Sequence, residues 1–435
     1  MTIDDKNINK INKIINFVIT DTNSFYRDFY GGKLDKGAPL SIDQFLSLPL
    51  LTKEDLLNIK SLHKSFLPQK DVRGFSVTSG TTQSKKILML PFSAPAPVFR
   101  GKIAAQEKLE RLGVSSIIYL SSPLHGMTRH MVYEDKNDFP FVLSRVDDFA
   151  LSTAMIKEGE INGVISTPTI IYQYLPFFEK AGISNQIKWL CLAGEHCPWQ
   201  KREELQRSLP EARIEFVYGS AETGIIGYQC PHLMETATNK YHPADNIFAE
   251  TLNSEGNPIT DSPGDFVVTS LTKNAFPLIR YQNGDTGILE ERPCQCGNPT
   301  TLTLLGRVSQ DLAKVQGTII HAEAVERALS CVKAELVPYY YLKITEVKKD
   351  GKILPELRIS LIPKKTIIDT AQTISLVAKQ ISDNLWLSTK NTLTDLVNQG
   401  VFLPLIVEFV SKPKDDSLAK TKVIEYHPIN SNNDN

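Results

Sequence analysis

The stretch Ser76-Val77-Thr78-Ser79-Gly80-Thr81-Thr82-Gln83-Ser84-Lys85-Lys86 gathers hydroxyls, a glycine and a basic pair. Backbone and side-chain donors so arranged can wrap an anion, as a phosphate-binding nest does. Neither the Walker nor the Rossmann glycine spacing is present, and the same composition also suits an ordinary surface loop. Three later segments could join it. Tyr218-Gly219-Ser220-Ala221-Glu222-Thr223-Gly224 closes an apolar run and puts the Glu222 carboxylate on the following turn. Beside a phosphate loop that carboxylate would be a magnesium ligand; alone it would be a solvated glutamate. Arg280-Tyr281-Gln282-Asn283-Gly284-Asp285 ends in an aspartate that could accept from both hydroxyls of a ribose or simply serve a turn. Gly306-Arg307, followed by Lys314-Val315-Gln316-Gly317, lies where the texture of the chain changes, so Arg307 is either a nucleotide contact or a linker residue.

A second constellation is metal-like. Cys294-Gln295-Cys296-Gly297 and Cys230-Pro231-His232 together offer three thiols and an imidazole, a standard tetrahedral zinc shell. His242 competes with His232 for the fourth place. With all four positions filled by protein, such a site would be structural. The remaining cysteines, Cys191, Cys197 and Cys331, stand apart, and six in 435 residues are too sparse for a disulfide scaffold.

These groups need elements to position them. Residues 1 to about 70 read as helical, with one clear start at Thr52, whose side chain can cap a helix while Asp55 reaches back. Gly74-Phe75-Ser76-Val77 reads as a strand that carries the hydroxyl-rich loop. From about 95 to 270, helical stretches (Phe99–Leu112, Trp199–Ser208) separate the apolar runs Ser116–Leu120, Gly163–Ser166, Ile187–Leu192 and Ile214–Tyr218, the alternation of a buried parallel sheet. Beyond about 247 helices thin out, and Phe266–Thr269 suggests an antiparallel, barrel-like portion. After Arg307 come a helix over Ala322–Ser330, strands over Ala334–Thr345 and Glu356–Ile362, and a helix over Thr370–Trp386. The tail Asn430–Asn435 is polar and expected to be disordered.

At 435 residues two or three domains are expected, and 41% hydrophobic residues suffice to bury their cores. A net charge of −1 lacks the basic footprint of nucleic-acid or anionic-membrane binding. The polar start MTIDDKNINKINK is unlike a signal peptide, and no apolar run is long enough to span a membrane. A cytoplasmic protein without nucleic-acid or membrane partners is expected.

In this order the four segments resemble the adenylate-forming superfamily of acyl-CoA ligases, peptide-synthetase adenylation domains and firefly luciferases. The first is similar to that family's TSGTTGxPK loop, the second to YGxTE, the third to YRTGD and the fourth to the GRxDDxxKxxG hinge. The Leu48–Leu56 segment, the RYxxGD form of the third motif and the CxCG before the hinge resemble the phenylacetate-CoA ligase branch, some members of which carry a comparable zinc site. By position, the resemblance implies that Thr78, Ser79, Gly80, Thr81 and Thr82 hold the pyrophosphate part of ATP and that Glu222 faces magnesium. It assigns Asp285 and Arg307 to the ribose and Ala193-Gly194-Glu195 to the adenine side, and counts Tyr218 and Gly219 among the cofactor-binding residues. Ser417-Leu418-Ala419-Lys420 resembles the SxGK signature, making Lys420 the catalytic lysine between carboxylate and α-phosphate. Tyr119, His125, Tyr218 and Gly219 become walls of a carboxylate pocket, and the branch points to an aromatic acid. Gln83, Ala221 and Ala419 depart from the family pattern, one residue is extra in Arg307–Asp311, and His321 stands where proline is common.

The resemblance thus implies an α/β protein with an α+β part. Residues 1–305 would form a large adenylation domain of mixed, largely parallel sheets with flanking helices and a barrel-like portion. Residues 306–311 would be a hinge, and 312–435 a small mobile α+β domain. The implied reaction is ATP- and Mg2+-dependent activation of a carboxylic acid to an acyl-adenylate, then transfer to a thiol such as coenzyme A. Loading of a carrier protein or amine, or a degenerate nucleotide-binding homologue, are the alternatives. A monomer or homodimer is expected.

Overall fold

The local signal at Thr52 folds as its chemistry requires. Thr52 Oγ1 accepts from the Asp55 N–H at 3.2 Å while Asp55 Oδ2 accepts from the Thr52 N–H at 2.8 Å, and the helix Lys53–Leu57 starts there. This computed structural model describes residues 5–20, 25–31, 34, 37–58, 65–77, 88–93, 106–120, 140–144, 148–194, 197, 199–236, 239–307, 312–315, 318–349, 352–365, 370–388, 390–412 and 424–427. Among them the strands are β1 (Val72–Val77), β2 (Met89–Ser93), β3 (Ile117–Leu120), β4 (Phe141–Leu143), β5 (Gly163–Ser166), β6 (Trp189–Ala193) and β7 (Arg213–Ser220). They continue as β8 (Gly224–Tyr228), β9 (Lys240–Pro243), β10 (Ile247–Leu252), β11 (Pro258–Ile259), β12 (Gly264–Ser270), β13 (Tyr281–Glu290) and β14 (Thr301–Arg307). The last six are β15 (Leu312–Val315), β16 (Thr318–His321), β17 (Leu336–Lys349), β18 (Lys352–Pro363), β19 (Ile406–Phe409) and β20 (Ile424–His427).

One sheet of twelve strands runs β11-β10-β12-β13-β14-β9-β8-β7-β6-β5-β3-β4. From β7 to β4 every pairing is parallel. Every residue of β3, β5 and β6 is buried, which is why these strands read as unbroken apolar runs rather than as alternation. The expectation of a largely parallel sheet therefore holds for that half alone. Between β7 and β8 the direction reverses, and the described pairings beyond it are antiparallel. What the sequence suggested as a barrel-like portion is thus the antiparallel half of this same sheet. The β1–β2 pair forms a separate antiparallel ribbon with Val77 opposite Met89, so the hydroxyl-rich stretch joins two paired strands.

The chain divides into two compact units, Met1–Gly194 with Ser208–Leu304, and Glu195–Arg207 with Leu305–Asn435. The second unit has its own sheet, β19-β18-β17-β20, and the β15–β16 ribbon. Its helices Ala322–Ser330 and Thr370–Asn384 contribute Val325, Val377 and Ile381 to a core with Leu342, Ile344, Leu357 and Ile359. Along β17, Tyr340, Leu342 and Ile344 enter this core, the period-2 pattern of a half-buried sheet.

Among the described residues no helix is long and apolar enough to cross a membrane.

Candidate active site

The parallel strands deliver their carboxyl ends to one edge of the large sheet, where open α/β sheets bind ligands. β7 ends there as Tyr218-Gly219-Ser220, and the chain must double back at once into β8. Gly219 is required because a Cβ would run into the carbonyl of Gly224. Within the turn, the Ser220 and Thr223 hydroxyls bond each other at 2.9 Å and Ser220 Oγ accepts from the Thr223 N–H at 3.2 Å. Glu222 lies within this turn. Its partner is Lys53 at 3.7 Å, on the capped helix described above, and the Glu222 side chain is only 9% exposed.

Tyr218 and Asp285, 67 residues apart, meet in the interior. Tyr218 Oη donates to Asp285 Oδ2 at 2.6 Å, and Asn283 Nδ2 donates to both of those oxygens, at 2.7 and 3.0 Å. Asn283 Oδ1 in turn accepts from the Asp285 N–H at 3.1 Å, and Gly284, with φ +83°, supplies the left-handed residue between them. Both Tyr218 and Asp285 are buried, with the tyrosine ring near Tyr241 and Phe266. A carboxylate held by a phenol and an amide is a fixed acceptor for hydroxyl donors, and solvated turn chemistry is excluded for Asp285.

The residue that begins this segment anchors it. Arg280 NH2 and Nε donate to Oε1 and Oε2 of Glu250 at 2.9 and 3.3 Å, while NH1 donates to the carbonyls of Leu48 (2.9 Å) and Leu46. Arg280 is 2% exposed and Glu250 0%. Burial pushes the Glu250 carboxyl upward, and the guanidinium opposes that. The Arg280 carbonyl accepts from the Leu51 N–H, and the Gln282 N–H donates to the Leu51 carbonyl, both at 2.9 Å. The segment that presents Lys53 is thereby bonded to the strand that presents Asp285.

The cysteine constellation also assembles, with one change. Ligand atoms of Cys230, His242, Cys294 and Cys296 all lie within 4.8 Å of one another. Cys230 and Cys294 sulfurs are 3.8 Å apart, and Cys296 Sγ is 3.2 Å from His242 Nε2. The imidazole is His242, not His232. Pro231 starts a helix at once after Cys230, which carries His232 off along it, whereas β8 and β9 pair Tyr228 with His242 and bring that ring beside Cys230. His242 Nδ1 lies 2.8 Å from the Thr300 carbonyl; with the proton there, Nε2 carries the lone pair that can ligate. Gly297 takes φ +86° in the turn that carries Cys294 and Cys296, which closes with the Cys294 N–H donating to the Asn298 carbonyl at 2.8 Å. Burial, the first cause, together with the neighbouring sulfurs, pushes the Cys230 thiol up to about 11. A soft, compact three-thiol, one-imidazole donor set fits a tetrahedral metal ion. It sits beyond the opposite end of β8 from Glu222, a strand of 5 residues that spans roughly 14 Å at strand rise.

No family model matches the chain. Over 210 residues it is 26% identical to the phenylacetate-coenzyme A ligase of Thermus thermophilus, a match covering 46% of this chain and 45% of that protein. Over 242 residues it is 25% identical to the phenylacetate-coenzyme A ligase of Aromatoleum evansii, covering 53% and 52%. The chain thus spans about half the length of the curated relatives it matches. In fold it is similar to 2-hydroxyisobutyryl-CoA ligase in complex with 2-HIB-AMP, with a TM-score of 0.68 at 15% identity over 96% of this chain and 88% of that one. The chain is thus similar to adenylate-forming CoA ligases, in sequence over about half its length and in fold over nearly all of it. An anthranilate CoA ligase in complex with anthranoyl-AMP shares the fold at a TM-score of 0.55 and 13% identity, over 81% of this chain and 66% of that one.

Of the residues that the superfamily motifs single out, Tyr218, Gly219, Glu222 and Asp285 are described and lie as given above. Gly194 follows β6 with φ +93°. Arg307 ends β14, with its side chain outside the described residues. Thr78, Ser79, Gly80, Thr81, Thr82, His125, Glu195 and Lys420 also lie outside them, as do Ser309, Gln310 and Asp311. Tyr119 is 4% exposed in a core cluster with Ile165, Cys191 and Val217, whereas Tyr218 is the next residue after Val217 on β7 and faces the other way. Lys53 and Asn283 are the residues that sequence reasoning missed. Both sit inside segments already singled out, but only contacts across the fold reveal their partners.

Proposed function

We propose that the protein activates a carboxylic acid, of aromatic type, with ATP to form an acyl-adenylate and then transfers the acyl group to the thiol of coenzyme A. The observation that carries this reading is the buried Tyr218–Asn283–Asp285 network, which joins two superfamily motifs distant in sequence into one polar site beside the Glu222 turn. In this reading Asp285, with Arg307, holds the ribose. The stretch Thr78–Thr82, which follows β1 in the sequence, receives the pyrophosphate part of ATP. Glu222, a hard oxygen donor that already keeps a cation beside it, suits magnesium, which supplies charge neutralisation on the phosphates when bound. Gly194, Glu195, Tyr218 and Gly219 border the base, and His125 the acyl side. Lys420 stands between the carboxylate and the α-phosphate and offsets the charge that develops as pyrophosphate leaves. Incubation with ATP, coenzyme A and a panel of aromatic and aliphatic acids, with product masses measured, tests the reading; an acyl-CoA from an aromatic acid is expected, and mass appearing on a carrier protein or amine instead would redirect the second step.

Small-domain rotation about residues 306–311 is part of the same reading, since adenylation and thiol transfer require different faces of that domain. Proline fixes φ near −65°. Pro at one of Ser309, Gln310 and Asp311 should spare adenylation and slow acyl transfer at least tenfold, as read by parallel pyrophosphate and thioester assays. Transfer as fast as adenylation in all three variants would remove the hinge.

For the Cys230–His242–Cys294–Cys296 cluster the reading is a closed structural zinc site. Purified protein is expected to carry about one zinc per chain by metal analysis. His242→Ala and Cys294→Ser should each lose it together with thermal stability, while His232→Ala should keep it. Metal-free protein with the parent's melting temperature would contradict the site.

A further inference from the structure

Glu222 is nearly buried, and the structure already gives it a counter-ion. Lys53 Nζ stands 3.7 Å from Glu222 Oε1, with the lysine side chain 28% exposed. That spacing is longer than the roughly 2.7–2.9 Å of a tight charge-assisted hydrogen bond, so the contact is an ion pair that can be given up. The backbone around Lys53, by contrast, is fixed. The Thr52–Asp55 capping box locks the residue before it, and Leu51 is bonded on both sides to the start of β13. Arg280 clamps the carbonyls of Leu46 and Leu48. A rigid support therefore presents a flexible four-carbon stem whose ammonium has a route to solvent. Lysine suits this role; the planar fork of arginine would grip the carboxylate at two points.

We propose that Lys53 is a positioning residue for Glu222, its resident counter-ion, exchanged for a divalent cation when a metal–nucleotide complex arrives. Without metal, Lys53 keeps the carboxylate paired with a cation and in place. When the metal takes the carboxylate oxygen, the ammonium swings toward solvent. This rests on the reading of Glu222 as a metal ligand, but neither a carboxylic acid nor turnover is needed to test it.

The probe is Mn2+, titrated into nucleotide-free full-length protein and followed by the electron paramagnetic resonance of the free ion. Lys53→Met and Lys53→Gln remove the competing charge and should tighten Mn2+ binding at least fivefold. Adding Glu222→Gln to either variant should abolish the gain. Binding equal to or weaker than the parent's in both single variants would overturn the proposal, and so would tightening that persists without the Glu222 carboxylate. If the gain appears and depends on Glu222, yet no acid supports pyrophosphate exchange, the exchange of counter-ions stands and the ligase reading falls.

Discussion

Arg280→Ala is expected to lower stability by about 3–5 kcal/mol, the range found when one partner of a buried ion pair is removed. The cost has three sources here. The Glu250 carboxylate, 0% exposed, loses the only charge that compensates its burial among the contacts described. Its carboxyl is already pushed upward by burial, so part of the ensemble would bind a proton rather than stay charged. The carbonyls of Leu46 and Leu48 also lose their donor, and an unsatisfied buried acceptor is expensive. Because that arginine ties the Leu46–Leu51 segment to β13, the variant should also weaken nucleotide binding through Asp285. Urea unfolding checks the first expectation; a loss below about 1 kcal/mol would mean that water or a neighbour replaces the guanidinium. Replacing both members, as Arg280→Met with Glu250→Leu, should recover much of the loss, since a desolvated pair contributes little net stability beside packed apolar groups.

Lys420→Ala should slow acyl-adenylate formation by 10²-fold or more, about 3 kcal/mol of transition-state stabilisation. The reacting carboxylate and the α-phosphate are both anionic, and charge accumulates on the pyrophosphate oxygens as it departs. A cation between them acts only where that charge develops, so the loss should fall on the chemical step and leave unfolding unchanged. Single-turnover formation of acyl-adenylate separates this from thiol transfer. Equal rates in variant and parent would remove Lys420 from the mechanism and make Lys422 the next candidate.

Local chemistry was legible in the sequence, and long-range pairing was not. The capping box at Thr52 and Asp55 lies three residues across, and the fully buried strands β5 and β6 announce themselves as apolar runs. Glu222 and Asp285 could be named because they sit in motifs. Their partners Lys53 and Asn283 could not, since an ion pair from residue 53 to residue 222 leaves no periodic trace. The choice of His232 over His242 has a similar origin. Adjacency to Cys230 favours His232 on paper, but Pro231 and the helix it starts take that residue away, while cross-strand register brings in His242 from twelve positions further along. Which face of β3 Tyr119 occupies was likewise not legible, because every residue of that strand is buried and none alternates. The extent of the antiparallel half was hidden because short, half-buried strands such as β9 and β11 carry too few residues to show a period.

The most direct test of the central claim is acid-dependent exchange of labelled pyrophosphate into ATP, run with full-length protein, Mg2+ and a panel of aromatic and aliphatic acids. Exchange that requires one of the aromatic acids, and that falls at least 10²-fold in Lys420→Ala, is the predicted result. ATP binding without exchange for any acid would contradict it, leaving a nucleotide-binding protein that keeps the superfamily fold without its reaction.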